Sequence, residues 1–426
     1  MVLLLCSLAG VFRDEEMAEV KRTLPVLSEN ATGSPEAAPW AALERLDLLL
    51  AEAARSAEVV YGVRFDDDRF RGLHLDAGEV GRLLDRMPGL PPLAAGRTHP
   101  VPLLDEKDLR FVALGQRFGL AALELDILLV SLASEIDPRY ERLYAYLQDD
   151  VTRKRPGVDL ILNLLSASAE EKLAGRRHFL PASPLLRHQL LQLHEDPPGS
   201  HATLLSRYCK VDERIVDYLL GGDGSALHPD DCLTIFPADS RISETPLSEA
   251  QRETLPRLLA EGRAVLHLRG VSGSGRRTVA AYLARRLGCD LLCFDPNRAL
   301  ARGEDDFQAI CRRVVREARL SEALLFVAEV DALLDDDKDA RLREFSQALE
   351  DWDGPTVLAG ELPWRPLSLY RTRPFARVEL EIPDFTERAR LWGREVTGLS
   401  AEELEAVAAR FNFTPGQIRA AAHSAG

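Results

Sequence analysis

The sequence predicts a parallel α/β sheet with helices on both faces, preceded by a mainly helical region, on two observations. Five short apolar runs, "AVLHLRG", "DLLCFDP", "ALLFVAEV", "PTVLAG" and "ARVELEI", alternate with segments of helical periodicity from Leu247 onward, the pattern of buried strands joined by crossover helices. The first run leads into "GVSGSGRRT", where Gly270 and Gly275 stand at the spacing of a phosphate-binding loop with Gly273 between them and a helical segment behind.

In chain order, residues 1–39 read as a disordered leader, since the stretch from about Thr23 to Pro39 is rich in Ser, Thr, Gly and Pro. The opening "MVLLLCSLAGVFRDEE" has no basic residues before its apolar core and falls far short of the ~20 apolar residues that span a bilayer. Met17 begins a more ordinary polar leader, so the natural start is Met1 or Met17. Residues 40–104 are expected to hold N-terminal helices and a connector. Leu43, Leu46, Leu50 and Ala53 mark one face of the first helix, a second helical stretch runs from Ala77 to Met87, and a proline-rich connector follows.

Residues 105–235 are expected to form a mainly α, winged-helix-like domain. One helix stops at Gly119, an apolar helix runs through Leu132, and Asp137 and Pro138 open a third. "RPGVDLILNLL" reads as a further short helix. The stretch "SPLLRHQLLQLHEDPPGSHATLLSRYCKVDERIVDYLLGG" reads as a strand, a Pro-Gly turn and two short helices ended by Gly221 and Gly222. Residues 245–385 are the α/β domain, and residues 386–426 hold three capped helical stretches that form a small helical lid.

A chain of 426 residues suggests two or three domains. Lys+Arg 53 against Asp+Glu 68 gives a formal net charge of -15, which opposes the counterion-release binding of basic proteins to nucleic acid. The six cysteines show neither CxxC pairs nor His-Cys clusters, which indicates reduced thiols in a cytoplasmic protein and no structural zinc.

A working phosphate loop ends in Lys and then Ser or Thr, because the lysine reaches the β and γ oxygens and the hydroxyl holds Mg2+. Here Arg276 occupies the lysine position; it keeps the charge in a larger, planar, five-donor group that does not substitute conservatively. Arg277 replaces the hydroxyl and places a cation where the metal would sit. Thr278 comes one residue late, about a hundred degrees around a helix of ~3.6 residues per turn. In "ALLFVAEVDALL", Ala328 stands where the magnesium-supporting carboxylate belongs, while Glu329 keeps the position of the catalytic base. These losses converge on one ion, so Mg2+ binding and rapid hydrolysis are not expected. Anion binding is a separate matter, because a glycine-rich loop at a helix N-terminus attracts phosphate without metal. The candidate binding residues are Gly270, Gly273, Ser274, Gly275, Arg276, Arg277 and Thr278, with ATP or ADP as ligand; the alternative is an empty structural turn.

On "GVSGSGRRT", "LLFVAEVDALL" and "FTPGQIRAAA" the chain resembles an AAA+ ATPase, an α/β P-loop NTPase module with a helical lid. The upstream "LELDILLVSLASEIDPRYERLYAYLQDDVTRKRPGVDLILNLL" and "DERIVDYLLGG" are similar to the N-terminal winged-helix domain of AAA-family ATPases found with phage-tail-like contractile injection systems. The resemblance covers most of the chain from about Asp105. It implies a degenerate first AAA+ module, a homo-oligomer or a second AAA+ module as partner, and injection-system proteins as further partners. It also implies a second module with intact motifs; this sequence ends at Gly426, so that module is expected on another stretch of chain, or the protein works without it. The polar sensor of the family falls near Gly360 and Glu361, where its asparagine is absent. Arg371, Arg373 and Arg377 lie where arginine fingers reach a neighbouring subunit, although arginines before a strand are commonly surface charges. Arg419 in the lid faces phosphate or solvent. No aromatic-apolar-glycine pore loop stands in "FDPNRALARGEDDF".

Arg153, Lys154 and Arg155 form a short basic run for DNA phosphate, an acidic partner or plain solvation. "DALLDDDKD" lacks the glycine and glutamate of a calcium loop. His178, His188 and His201 have no partners at metal-ligand spacing. Three functions follow: a nucleotide-binding or assembly module of a contractile injection system with weak or no hydrolysis; an active ATPase using Glu329; and a winged-helix DNA-binding regulator with an AAA+-like oligomerisation domain. The first is favoured, with no membrane or nucleic-acid partner.

Overall fold

The computed structural model describes residues 39–61, 80–81, 84–94, 96–222, 232–239, 245–302, 307–334, 339–363, 373–396 and 398–425. Most of the expected leader, part of the helical stretch from Ala77 to Met87, and Arg371 lie outside the described residues.

Helix α1 (Trp40–Tyr61) buries Leu43, Leu46, Leu50 and Ala53, the face its periodicity predicts. Helix α2 (Leu109–Phe118) ends at Gly119, whose φ of 63° is a left-handed cap that returns its N–H to Gly115 O. Helices α3 (Ala122–Ile136), α4 (Arg139–Leu147), α5 (Val158–Leu165), α6 (Ala169–Gly175) and α7 (Pro184–Arg187) follow. A hairpin of β1 (Leu191–His194) and β2 (Tyr208–Val211) then leads into α8 (Glu213–Leu219). The sequence predicts one strand, a turn and two short helices in this stretch, and β2 is a second strand beyond that expectation. Cys209 and Val211 are buried while Tyr208 and Lys210 are half-buried, and four residues of alternation are too few to distinguish a strand from one helical turn. Helix α1 shares one core with this region, through Leu46, Phe111, Tyr140, Tyr144, Leu162 and Val211.

The second layer system begins with β3 (Leu233–Phe236) and α9 (Glu249–Ala260). Then come β4 (Val265–Arg269), α10 (Arg276–Leu287), β5 (Leu291–Phe294), α11 (Pro296–Leu300), α12 (Phe307–Leu320), β6 (Leu324–Val327), α13 (Asp339–Glu350), β7 (Thr356–Gly360) and β8 (Phe375–Glu379). The sheet order is β3-β5-β6-β7-β4-β8, parallel except for β3, which adds antiparallel to β5. The five predicted strands are all present; β3 was missed because "LTIF" offers no pattern beyond four residues. Alternate residues feed two cores, Leu292, Leu325 and Leu358 on one face and Leu291, Leu324 and Val357 on the other. The strand that carries the loop therefore lies inside the sheet, between β7 and β8.

Behind the sheet, α14 (Phe385–Glu395), α15 (Ala401–Arg410) and α16 (Pro415–Ala425) pack around Trp392, Ala408 and Ile418 as the lid. The helical region meets the sheet module through α12. Arg214 Nε lies 3.1 Å from Glu317 Oε2, Arg316 Nη1 lies 3.0 Å from Asp212 Oδ1, and Arg316 Nη2 lies 3.2 Å from Glu317 Oε1. Both arginines and Glu317 are buried, so each charge offsets the desolvation of another.

Candidate phosphate-binding site

The loop 270–275 joins β4 to α10, and its glycines are dictated by space and dihedral angle. A Cβ on Gly270 would meet Ser274 Oγ and the Leu380 carbonyl. Gly273 and Gly275 take φ of 81° and 98°, conformations that L side chains rarely adopt, and Gly275 is the N-cap of α10. The loop thus wraps the start of a twelve-residue helix, where the unpaired N–H groups and the helix dipole favour an anion.

Arg276, the first residue of α10, is turned inward and only 7 % exposed. Its Nη2 donates to Glu329 Oε1 at 2.8 Å, while Nη1 is buried and makes no hydrogen bond among the described residues. Glu329 follows β6 with φ of 48°, a left-handed non-glycine backbone that turns its carboxylate toward the loop. That carboxylate remains 47 % exposed, so the pair is closed on the cation's side and open on the anion's. Ser274 Oγ is likewise buried and makes no hydrogen bond among the described residues. Arg277 points elsewhere: its guanidinium stands 5.5 Å over the Phe236 ring of β3, a cation–π contact that carries it toward the sheet edge. Thr278 lines the cavity one residue further along the helix.

Two acidic residues complete the loop's surroundings. Glu361 Oε1 accepts from Ser272 N at 2.8 Å, so the position where the resemblance leads one to expect a polar sensor holds a carboxylate bonded to the loop itself. Asp331 accepts from Glu361 N and Leu362 N at 2.5 and 3.2 Å and fixes that turn. The role of Asp331 escaped the sequence reading because it joins residues about thirty positions apart.

The lid closes directly on the loop. Gly416 N donates to Gly273 O at 2.9 Å, and Thr414 Oγ1 lies 3.4 Å from Ser272 O. Thr414 is buried, and it exchanges hydrogen bonds with Gln417 in a capping box that starts α16. "FTPGQIRAAA" announced a lid helix in the sequence, but not that its first turn would lie against Gly273.

Between the loop, the segment before α9, the end of β8 and the lid lies a cavity of about 910 Å³, within the range of small-molecule and cofactor sites. Arg276, Arg277 and Arg419 bring positive charge to it, Glu329 and Glu379 negative charge, and Leu247, Ile382 and Leu391 apolar wall. Arg419 is half-exposed, its Nε 3.7 Å from Glu395 Oε1.

The arginine-finger reading of Arg373 is overturned. Arg373 is buried, and donates to the backbone carbonyls of Arg263, Leu349 and Gly354 and to Thr356 Oγ1. Burial lowers its pKa to about 10. Its guanidinium is spent on acceptors within its own chain. Arg377 lies half-buried on β8 beside His267, whose pKa is held at about 4 by burial first and by Arg377 second. In the basic run, Arg153 pairs with Asp150 at 3.4 Å and Arg155 stands 5.3 Å over the Tyr208 ring, so only Lys154 has no such contact described.

The residues fit phosphate and do not fit magnesium. Buried Arg276 Nη1 and Ser274 Oγ are donors awaiting an acceptor; at the two metal-holding positions stand Arg277 and Ala328. Among the described residues no group of three or more His, Cys, Asp or Glu side chains is placed to hold a metal ion.

The interior loop-bearing strand, the lid and the helical region before them define an α/β P-loop NTPase fold of AAA+-like architecture preceded by a mainly helical domain. Residues 103–226 match the family model described as "Winged helix domain, variant". Among solved structures, the chain is similar to katanin in work on its self-assembly (18% identity, 44% of this chain and 71% of that one, TM-score 0.36). It is also similar to the FIGL-1 AAA domain in complex with ADP (15% identity, 45% and 73%, TM-score 0.36) and without that description (14%, 45% and 72%, TM-score 0.38). No curated protein matches the chain. Among the described residues no helix is long and apolar enough to cross a membrane.

Proposed function

We propose that the chain is an AAA+-like nucleotide-binding and assembly module that holds ATP or ADP and hydrolyses it slowly or not at all. The observation that carries this reading is the 2.8 Å contact between Arg276 and Glu329. Phosphoryl transfer to water depends on positioning and electrostatic stabilisation, with a metal neutralising the developing charge and a base orienting the water. Here the base candidate accepts from a guanidinium, and Arg277 and Ala328 stand at the sequence positions of the metal's ligands and offer it no oxygen. What survives is the phosphate cradle: the glycines, the α10 N-terminus and the buried Arg276 charge.

When bound, the nucleotide supplies two things, a polyphosphate for that cradle and a base for the apolar part of the cavity. Gly270, Gly273, Ser274, Gly275, Arg276, Arg277, Thr278 and Arg419 are the residues that would hold it. Because Gly416 and Thr414 bond the loop, ligand at the loop also fixes the lid against the sheet module. On the sequence resemblance, the working unit is a homo-oligomer or a complex with a second AAA+ module, in the cytoplasm and in the service of a contractile injection system.

Titration with fluorescent ADP and ATP, with Mg2+ and with EDTA, alongside phosphate release, tests the reading. Binding that survives EDTA with no steady phosphate release is expected. Brisk Mg2+-dependent turnover, abolished in Glu329→Gln, would establish an active ATPase instead.

A further inference from the structure

The Arg276–Glu329 pair is asymmetric, and the asymmetry bears on which ligand the loop takes. Arg276 is buried, with Nη2 held by Glu329 and Nη1 unmatched; Glu329 is half in solvent. A residue at this position of a phosphate loop reaches the β and γ oxygens. Its guanidinium is therefore already occupied by a carboxylate on the side where a terminal phosphate would lie. Glu361, bonded to Ser272 N, adds a second carboxylate at the same loop. Arg277 and Ala328 offer no oxygen to a screening cation, so a third phosphate would crowd the Glu329 carboxylate that the second has displaced.

We infer that Glu329 is an intramolecular competitor for phosphate, and that the site takes a magnesium-free nucleoside diphosphate, whose phosphate displaces Glu329 from Arg276. This rests on the nucleotide-binding reading above and adds the ligand's form and the exchange that admits it. The exchange is feasible because it breaks a single ion pair whose anion already faces water, so the displaced carboxylate is rehydrated rather than buried. The incoming phosphate meets the donors that Glu329 leaves unmatched, Arg276 Nη1 and the α10 N-terminal amides. Leu247, Ile382 and Leu391 offer apolar wall for a base, which favours a nucleotide over bare pyrophosphate.

The test is calorimetric titration of the full chain with ADP, ATP and pyrophosphate in EDTA, and with ADP in Mg2+. In wild type, ADP is expected to bind more tightly than ATP or pyrophosphate, and Mg2+ to leave its affinity unchanged or weaken it. Glu329→Gln, which keeps the side chain's shape, should tighten ADP in EDTA by roughly two- to fivefold, the scale of one half-exposed ion pair. It should also narrow the gap between ADP and ATP. Wild-type binding of ADP with no tightening in Glu329→Gln overturns the exchange while leaving the nucleotide-binding reading intact. No ADP binding by either protein overturns both, and tighter binding of ATP or pyrophosphate than of ADP by wild type overturns the diphosphate assignment without any variant.

Discussion

Two buried arginine sites in this chain are built differently. At the junction of α8 and α12, Arg214 and Arg316 face Glu317 and Asp212, with Arg316 also donating to the Gln189 carbonyl at 2.8 Å; Glu317 is as buried as its partners. At the phosphate loop, Arg276 is buried but Glu329 is not, and one guanidinium nitrogen makes no hydrogen bond among the described residues. A network buried on both sides cannot open without stranding a charge, so it fixes two domains. A pair with one solvated member opens at small cost, so it suits a site that must exchange partners.

The sharpest way to break that comparison is to truncate the closed network. Glu317→Ala leaves Arg214 and Arg316 buried and under-compensated, and should destabilise by about 3–5 kcal/mol, the scale for removing one partner of a buried pair; thermal unfolding reads this directly. Next in size, Gly273→Val forces a β-branched residue to φ of 81° and against Thr414 Oγ1. A loss of about 1–3 kcal/mol is expected, with the lid more readily cleaved in limited proteolysis. Glu329→Gln, by contrast, should change stability by about 1 kcal/mol or less, because its carboxylate is half in water. An unfolding shift as large as that of Glu317→Ala would erase the distinction between the two sites.

A separate effect, read as a slope rather than as a single loss, is one of pH. Burial raises the Asp126 pKa to about 7, with hydrogen bonding to Leu103 and the Arg45 charge opposing. An acid whose folded pKa is raised binds more protons folded than unfolded, so stability should fall as pH rises from about 4 to 7 and level off above. Asp126→Asn should flatten that slope in denaturant titrations at several pH values. Asn retains an oxygen to accept from Leu103 N, which lies 3.1 Å from the carboxylate.

The fold was legible wherever a pattern had length. Five apolar runs, the glycine spacing and the capped lid helices each gave several residues that agreed, and all are present. Strands β2 and β3, four residues each, were too short for periodicity to arbitrate. Burial of Arg373 was not legible either, since its acceptors besides Thr356 Oγ1 are the carbonyls of Arg263, Leu349 and Gly354, and a carbonyl leaves no mark in a side-chain sequence.

For the site, the sequence by itself determined the glycines of the loop and the residue types that follow them, because those depend on local spacing: glycine for its dihedrals, and Arg277 and Ala328 at the two positions where a metal's hydroxyl and carboxylate are expected. Only the tertiary structure decided what the two arginines do. Arg276 and Arg277 are neighbours in the chain, yet a helix turns successive side chains about a hundred degrees apart. One is turned inward to Glu329, just past the end of β6, the other onto Phe236 of β3. Their partners lie fifty-three and forty-one positions away, brought near by strand order alone, so no local pattern could have assigned them.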